Sequence, residues 1–355
     1  MKKLGIVLLA GVAVLGAAAA LVWQLNVQDE PDVSASAAAS TGAPTPAIVA
    51  RGEYLARAGD CMACHTARGG AALAGGLALA TPFGTVYTSN LTPDMETGIG
   101  TWTSAEFWRA LHNGRAKSGR LLYPAFPYTN YTKVTREDSD ALYAWLRTLA
   151  PVHQPNRPNA LRWPYNTQAA LAVWRALFFK PGTYVPDGNR TAEWNRGAYL
   201  IQGLGHCSAC HATRNVLGAT SGALDLAGGL IPVQNWYAPS LESGREAGVA
   251  DWDVSRIVEL FKTGTTRHGW VTGPMAEAVL NGTQYLSQQD LVAMAQYLKA
   301  LPGAKTSDAA SVPPPHSRVD PAVALWGARL YKDNCAQCHG ATGQGVPHAY
   351  PALAG

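Results

Sequence analysis

All six cysteines of the chain fall in three copies of one motif, C-x-x-C-H. The copies are Cys61-Met62-Ala63-Cys64-His65, Cys207-Ser208-Ala209-Cys210-His211 and Cys335-Ala336-Gln337-Cys338-His339. This spacing is that of covalent c-type haem attachment: the two thiols add across the haem vinyl groups and the histidine becomes the proximal iron ligand. Tetrahedral zinc wants a closed four-ligand set, not three triads far apart in sequence. Disulfides are a poor reading, because each cysteine pair is closely spaced and carries the same trailing histidine. The expectation is three molecules of haem c. Cys61 and Cys64, Cys207 and Cys210, and Cys335 and Cys338 would attach them. His65, His211 and His339 would bind iron.

Covalent haem attachment implies export to an oxidising compartment, and the N-terminus agrees. Met1-Lys2-Lys3 precedes an apolar run from Leu4 to Trp23, about 20 residues, the length that spans a bilayer as a helix. Ala17–Ala20 also offers an A-x-A cleavage site, so a signal peptide and an uncleaved anchor are both open. The length favours the anchor. The early lysines, with no basic residue near Trp23, put the body on the periplasmic face of a bacterial cytoplasmic membrane. The net charge of +4 is modest, and haem propionates would lower it. With no basic run or basic amphipathic stretch, nucleic acid is excluded as a partner.

The pattern along the chain predicts an all-α protein of tandem small domains. Residues 1–26 are the signal or anchor, and 27–47 an Ala/Ser/Thr/Pro-rich tether. Domain 1 is 48–150, a connector 151–190 carries one helix at Gln168–Phe179, and domain 2 is 191–301. A Pro-rich linker covers 302–321, and 322–355 begin a third domain. The repeat is internal. Gly52-Glu53-Tyr54-Leu55, Gly197-Ala198-Tyr199-Leu200 and Gly327-Ala328-Arg329-Leu330 each open a helix running into a motif. Trp102–Gly114 then matches Trp252–Gly264, with capping residues at Thr103 or Ser104 and at Asp253 and a glycine at each end. Arg136–Leu149 matches Gln288–Leu301 as a closing helix, with apolar residues at helical spacing.

Fast electron transfer needs a sixth iron ligand, and a thioether raises the potential. In the second repeat Met275, in Gly273-Pro274-Met275-Ala276, stands in the loop before the closing helix and is the expected ligand. Met294, mid-helix on an apolar face, is a core methionine by contrast. In the first repeat Phe126 fills the equivalent slot and cannot ligate iron. Met95 and His112 are substitutes, and an open site is the other reading. For the third motif no methionine follows His339, and His348 reads as a solvated loop residue. Trp102, Tyr123, Tyr128, Trp236, Tyr237 and Trp252 either wall the haems or fill small cores. Arg68, Arg115 and Arg214 either pair with propionates or lie on the surface.

The chain resembles the cytochrome c subunits of bacterial membrane-bound dehydrogenases. The likeness rests on the three motifs, the paired repeats, and the segments Thr88–Asp94, Gly98–Gly100 with Trp102, Leu122–Tyr128, Trp194–Tyr199, Gly273–Ala276 and Gln284–Leu286. It implies an electron relay from a catalytic subunit to membrane quinone or a terminal oxidase. Catalysis would belong to a quinoprotein, flavoprotein or molybdenum hydroxylase partner. Alcohol-dehydrogenase-type members carry methionine where Phe126 stands, so the resemblance leans toward the molybdenum hydroxylases. Family members also continue past the position of Gly355 and supply a methionine there, so the third domain reads as truncated. Two other readings stand beside the relay: a peroxidase-like enzyme using an open first haem, and a free-standing or oxidase-associated carrier. No dinucleotide fingerprint, P-loop or nucleophile elbow is present.

Overall fold

The computed structural model describes residues 2–27, 44–220, 225–244, 246–267, 269–301, 320–346, 349–350 and 353. Most of the tether, most of the Pro-rich linker and His348 lie outside the described residues. The chain divides into two compact units. One holds residues 1–188 and 199–238, the other 189–198 and 239–355.

The first unit begins with α1 (Lys2–Val27), α2 (Pro46–Ala58) and α3 (Cys61–His65). A hairpin of β1 (Ala78–Thr81) and β2 (Gly84–Tyr87) follows, then α4 (Ser104–Asn113), α5 (Tyr128–Tyr131) and α6 (Arg136–Leu146). The connector adds β3 (Ala160–Leu161), which pairs antiparallel with β2, and α7 (Gln168–Phe178). Next, α8 (Ala192–Gln202) runs in from the second unit. It is followed by α9 (Ser208–His211) and a hairpin of β4 (Gly229–Ile231) with β5 (Trp236–Ala238). Helices carry the fold as expected. The short strands were not expected: two hairpins occupy the loops behind the first two motifs and β3 adds to one from the connector, and ladders of two to four pairs satisfy backbone groups without a hydrophobic repeat.

Sequence chemistry explains the helix ends. Thr103 caps α4 in a capping box with Glu106, and Gly114 ends it at φ 57°, a left-handed turn that suits glycine. Tyr128 fills the space where a Gly114 side chain would project. Thr135 caps α6, and Thr167 caps α7. The core gathers Leu55 and Ala56 of α2, Phe107 and Leu111 of α4, Leu142 and Leu146 of α6, with Tyr131, Val134 and Leu204. Burying each leucine contributes roughly 2 kcal/mol. The C-terminal end of α1 is tied to this unit through Asn26. Its amide donates to the Ala172 carbonyl (2.9 Å), its Oδ1 accepts from Arg175 Nε (2.9 Å), and its carbonyl accepts from Arg115 (3.0 Å). By length and composition, Leu9–Val27 can cross a membrane.

The second unit holds α10 (Val254–Thr263), a hairpin of β6 (Thr265–Thr266) and β7 (Gly269–Trp270), α11 (Gly273–Asn281), α12 (Gln288–Lys299), α13 (Pro321–Asn334) and α14 (Ala336–His339). Gly264 ends α10 at φ 75°, the counterpart of Gly114. Ser287 caps α12.

One helix crossing occurs twice with the same residues. In the first unit a Cβ on Gly52 of α2 would overlap the Ala141 carbonyl of α6, while the adjacent Arg51 Nε donates to Asp138 Oδ1 at 2.7 Å. In the second unit a Cβ on Gly197 of α8 would overlap the Ala293 carbonyl of α12. There Arg196 forms a bidentate pair with Asp290 at 2.8 and 2.7 Å. Arg-Gly on the entering helix and Asp on the closing helix thus bring two backbones into contact.

Candidate functional site

Each C-x-x-C-H motif sits on a helical turn, α3, α9 or α14, at the end of a longer helix. One backbone bond then recurs at all three. The carbonyls of His65, His211 and His339 accept from the amides of Gly75, Gly228 and Gly345, each at 2.7 Å. Those glycines have φ of 75°, 85° and 69°, conformations a side chain disfavours. At Gly75 a Cβ would also strike the Ser89 backbone. The loops between histidine and glycine differ in length, yet all return to the same carbonyl. Sequence reasoning missed these glycines. The signal was present in Ala74-Gly75-Gly76-Leu77 and Ala227-Gly228-Gly229-Leu230, which follow the first two motifs.

The first histidine is oriented for a metal. His65 Nδ1 lies 2.7 Å from the Ser89 carbonyl oxygen. A carbonyl only accepts, so Nδ1 carries the proton and Nε2 presents its lone pair. Burial lowers the His65 pKa, with the Ser89 bond opposing; both the neutral ring and its fixed tautomer suit iron ligation. His211 is buried and His339 partly so. Burial pushes the Cys61 and Cys207 thiols up to about 12, whereas Cys64 is exposed. The residues just before the first thiols, Asp60 and His206, adopt positive φ (47° and 39°). Those turns bring the entering helix into the motif. The residues present therefore fit a covalently held haem at this position.

The expected distal residues meet different fates. Phe126 is packed against the first core, with Tyr131 at a ring distance of 5.3 Å. Met95 is 65% exposed, on the outside of its loop. His112 is buried at the end of α4 and stacked on Trp108, 4.4 Å between rings. Met275 is half-buried on the first turn of α11, not in a loop, because Pro274 and Thr272 start a helix there. It belongs to the second unit, His211 to the first. Met294 is 3% exposed within α12, as a core methionine should be.

Among the aromatics, Tyr128 is fully buried and Trp102 packs on the first core. Trp236 and Tyr237 are exposed on β5, so they fill no core. Arg68 is exposed, and Arg115 is spent on the Asn26 and Gly119 carbonyls. Arg214 lines a cavity of about 270 Å³ with Lys133, Lys180, Trp174, Phe178 and Ala209 of the second motif, and its Nη1 is buried without a hydrogen-bond partner.

The cytochrome c family model matches residues 49–150 and 324–355. Over 343 residues the chain is 39% identical to the alcohol dehydrogenase (quinone) cytochrome c subunit of Gluconacetobacter polyoxogenes, covering 91% of this chain and 71% of that protein. The chain belongs to the cytochrome c family. This cytochrome is also 40% identical over 323 residues to the gluconate 2-dehydrogenase cytochrome c subunit of Pantoea cypripedii, covering 87% and 72% of the two proteins. It is 44% identical over 301 residues to a subunit of the nicotinate dehydrogenase of Pseudomonas putida. That match takes in 84% of this cytochrome but 25% of the relative, so the chain spans about a quarter of that protein. The alcohol and gluconate dehydrogenase relatives are cytochrome c subunits of dehydrogenases, and the family carries covalently bound haem c. Bound haem c supplies one reversible electron at each site.

Proposed function

We propose that this cytochrome is a three-haem electron relay on the periplasmic face of the bacterial membrane. It takes electrons from a dehydrogenase catalytic subunit and passes them to membrane quinone or a terminal oxidase. The observation that carries the reading is the histidine-to-glycine bond repeated at all three motifs, beside relatives that are named as dehydrogenase cytochromes. Cys61, Cys64, Cys207, Cys210, Cys335 and Cys338 hold the haems, and His65, His211 and His339 bind iron. Met275 is the thioether ligand of the second repeat. The repeats 48–150 and 191–301 and the segment 322–355 each carry one haem. α1 anchors the chain, its end fixed by Asn26. The cytochrome itself performs no substrate chemistry.

The catalytic partner is a molybdenum hydroxylase in preference to a quinoprotein or flavoprotein. Phe126 in the methionine slot supports this, as does the relative named for nicotinate, an N-heterocycle. Haem quantitation of the purified protein should give three per chain, and the dehydrogenase should co-purify. Fewer haems, or co-purification with an oxidase alone, would count against the relay. Met275→Leu should lower one potential and abolish the thioether charge-transfer absorption; an unchanged spectrum would remove Met275 as ligand.

A further inference from the structure

The first two motifs are joined by α5, the short helix just after Phe126. Its last residue, Tyr131, reaches both sides, and Asn130 before it reaches the second. Tyr131 donates its hydroxyl to the Gly59 carbonyl at 3.1 Å, two residues before Cys61. Its ring lies 5.6 Å from that of His206, the residue before Cys207. Burial holds its phenol well above the usual tyrosine range. Asn130 donates to the Gln202 carbonyl and to Ser208 Oγ, both at 2.9 Å, and Ser208 lies inside the second motif.

The surrounding packing is continuous. A Cβ built on Gly59 would meet Leu204 Cδ2 at 3.3 Å and Cys61 Sγ at 3.5 Å. Leu204, three residues before Cys207, is 1% exposed in the core that also holds Cys61, Met62 and Phe126. His206 is locked by its turn at φ 39° and by Nδ1 bonding to the Leu204 carbonyl at 2.8 Å. Tyr199 Oη donates to Asp138 Oδ2 at 2.6 Å and accepts from the Thr135 amide at 3.2 Å. A close-packed, hydrogen-bonded junction of this kind resists displacement.

We propose that Tyr131, Asn130 and His206 are positioning residues that couple the first and second haem sites, so that electrons pass directly between them. This rests on the relay reading. One electron leaves the reduced iron of one site and enters the oxidised iron of the other. One ferrous centre becomes ferric and one ferric centre ferrous, with no proton or bond exchanged. Tunnelling falls steeply with separation and across voids, so the junction acts by fixing distance and filling space.

The test uses the full-length, haem-loaded protein and follows internal electron redistribution after flash photoreduction, with EPR of the haem–haem interaction. Wild type should show a fast phase between the first two haems and a resolved magnetic interaction. Tyr131→Leu and His206→Ala should lose the fast phase with haem content unchanged. Tyr131→Phe, which keeps the ring and is the gentler change if the others fail to fold, should keep the phase and weaken the interaction. Full haem loading with the fast phase and interaction intact in Tyr131→Leu and His206→Ala overturns the proposal, as does Tyr131→Phe matching wild type if those two do not fold. Haem binding at only one of the two motifs in wild type overturns the relay reading, and this inference with it.

Discussion

Helices α2 and α8 each run into a C-x-x-C-H motif, and each is crossed by a closing helix at an Arg-Gly pair. Helix α13 runs into the same motif, but among the described residues nothing beyond its own helix comes within 4 Å of where a Gly327 Cβ would stand. The motif turn is nonetheless built alike, down to the Gly345 amide on the His339 carbonyl. The geometry of the motif turn is therefore local, set by the loop that follows the histidine whatever its length. The helix crossing is a separate device, with separate residues.

The largest effect should come from filling the crossing. Gly52→Ala or Gly197→Ala pushes a methyl group into a carbonyl and should cost about 3 kcal/mol, seen as a lower melting temperature. An unchanged melting temperature in either variant would break the likeness of the two crossings.

This contrast was only half legible in the sequence. The glycines stood out as repeat positions, but nothing in their spacing said that Gly52 and Gly197 each meet a backbone. That depends on which helix returns over them. The motifs, the cap at Thr103 and the C-terminal glycines at 114 and 264 were readable, because each is a local rule. The grip of α5 on the second motif was not readable. Asn130 and Ser208 are distant in sequence, and neither residue type announces such a contact. The short strands were missed because runs of two to four residues carry no periodic signal.

A smaller effect separates the two crossings from each other. Asp138 serves Arg51 and Tyr199 together and is 1% exposed, while Asp290 serves Arg196 and is 6% exposed. Asp138→Ala removes the carboxylate that accepts from the Tyr199 hydroxyl as well as breaking the ion pair. It should cost about 2–3 kcal/mol, less than a fully buried pair because Arg51 reaches water. Asp290→Ala should cost about 1–2 kcal/mol. Denaturant midpoints of the two variants order them; a larger loss at Asp290 would show that the bidentate geometry outweighs the extra hydroxyl.

The smallest effect concerns the loops that precede α4 and α10. In the first, Asp94 Oδ1 accepts from the Thr97 amide and hydroxyl, each at 2.7 Å, and a Cβ on Gly98 would overlap the Thr92 carbonyl. In the second, Glu246 reaches back to the Ser240 amide at 2.6 Å. The Thr97 amide, then its hydroxyl, holds the Asp94 carboxyl below its ordinary value, with burial opposing and His153 adding a little. A depressed carboxylate contributes stability that is present above its unfolded pKa, about 3.9, and lost as pH falls through the folded value. Amide exchange at Thr97 should therefore speed up, after correction for intrinsic rates, as pH drops below about 4. Asp94→Asn should remove that pH dependence, since an amide keeps one acceptor but cannot titrate in this range. If Thr97 protection is flat with pH in the wild type, the Asp94 turn is held by its glycines and not by its charge. The two loops would then be the same device in both repeats.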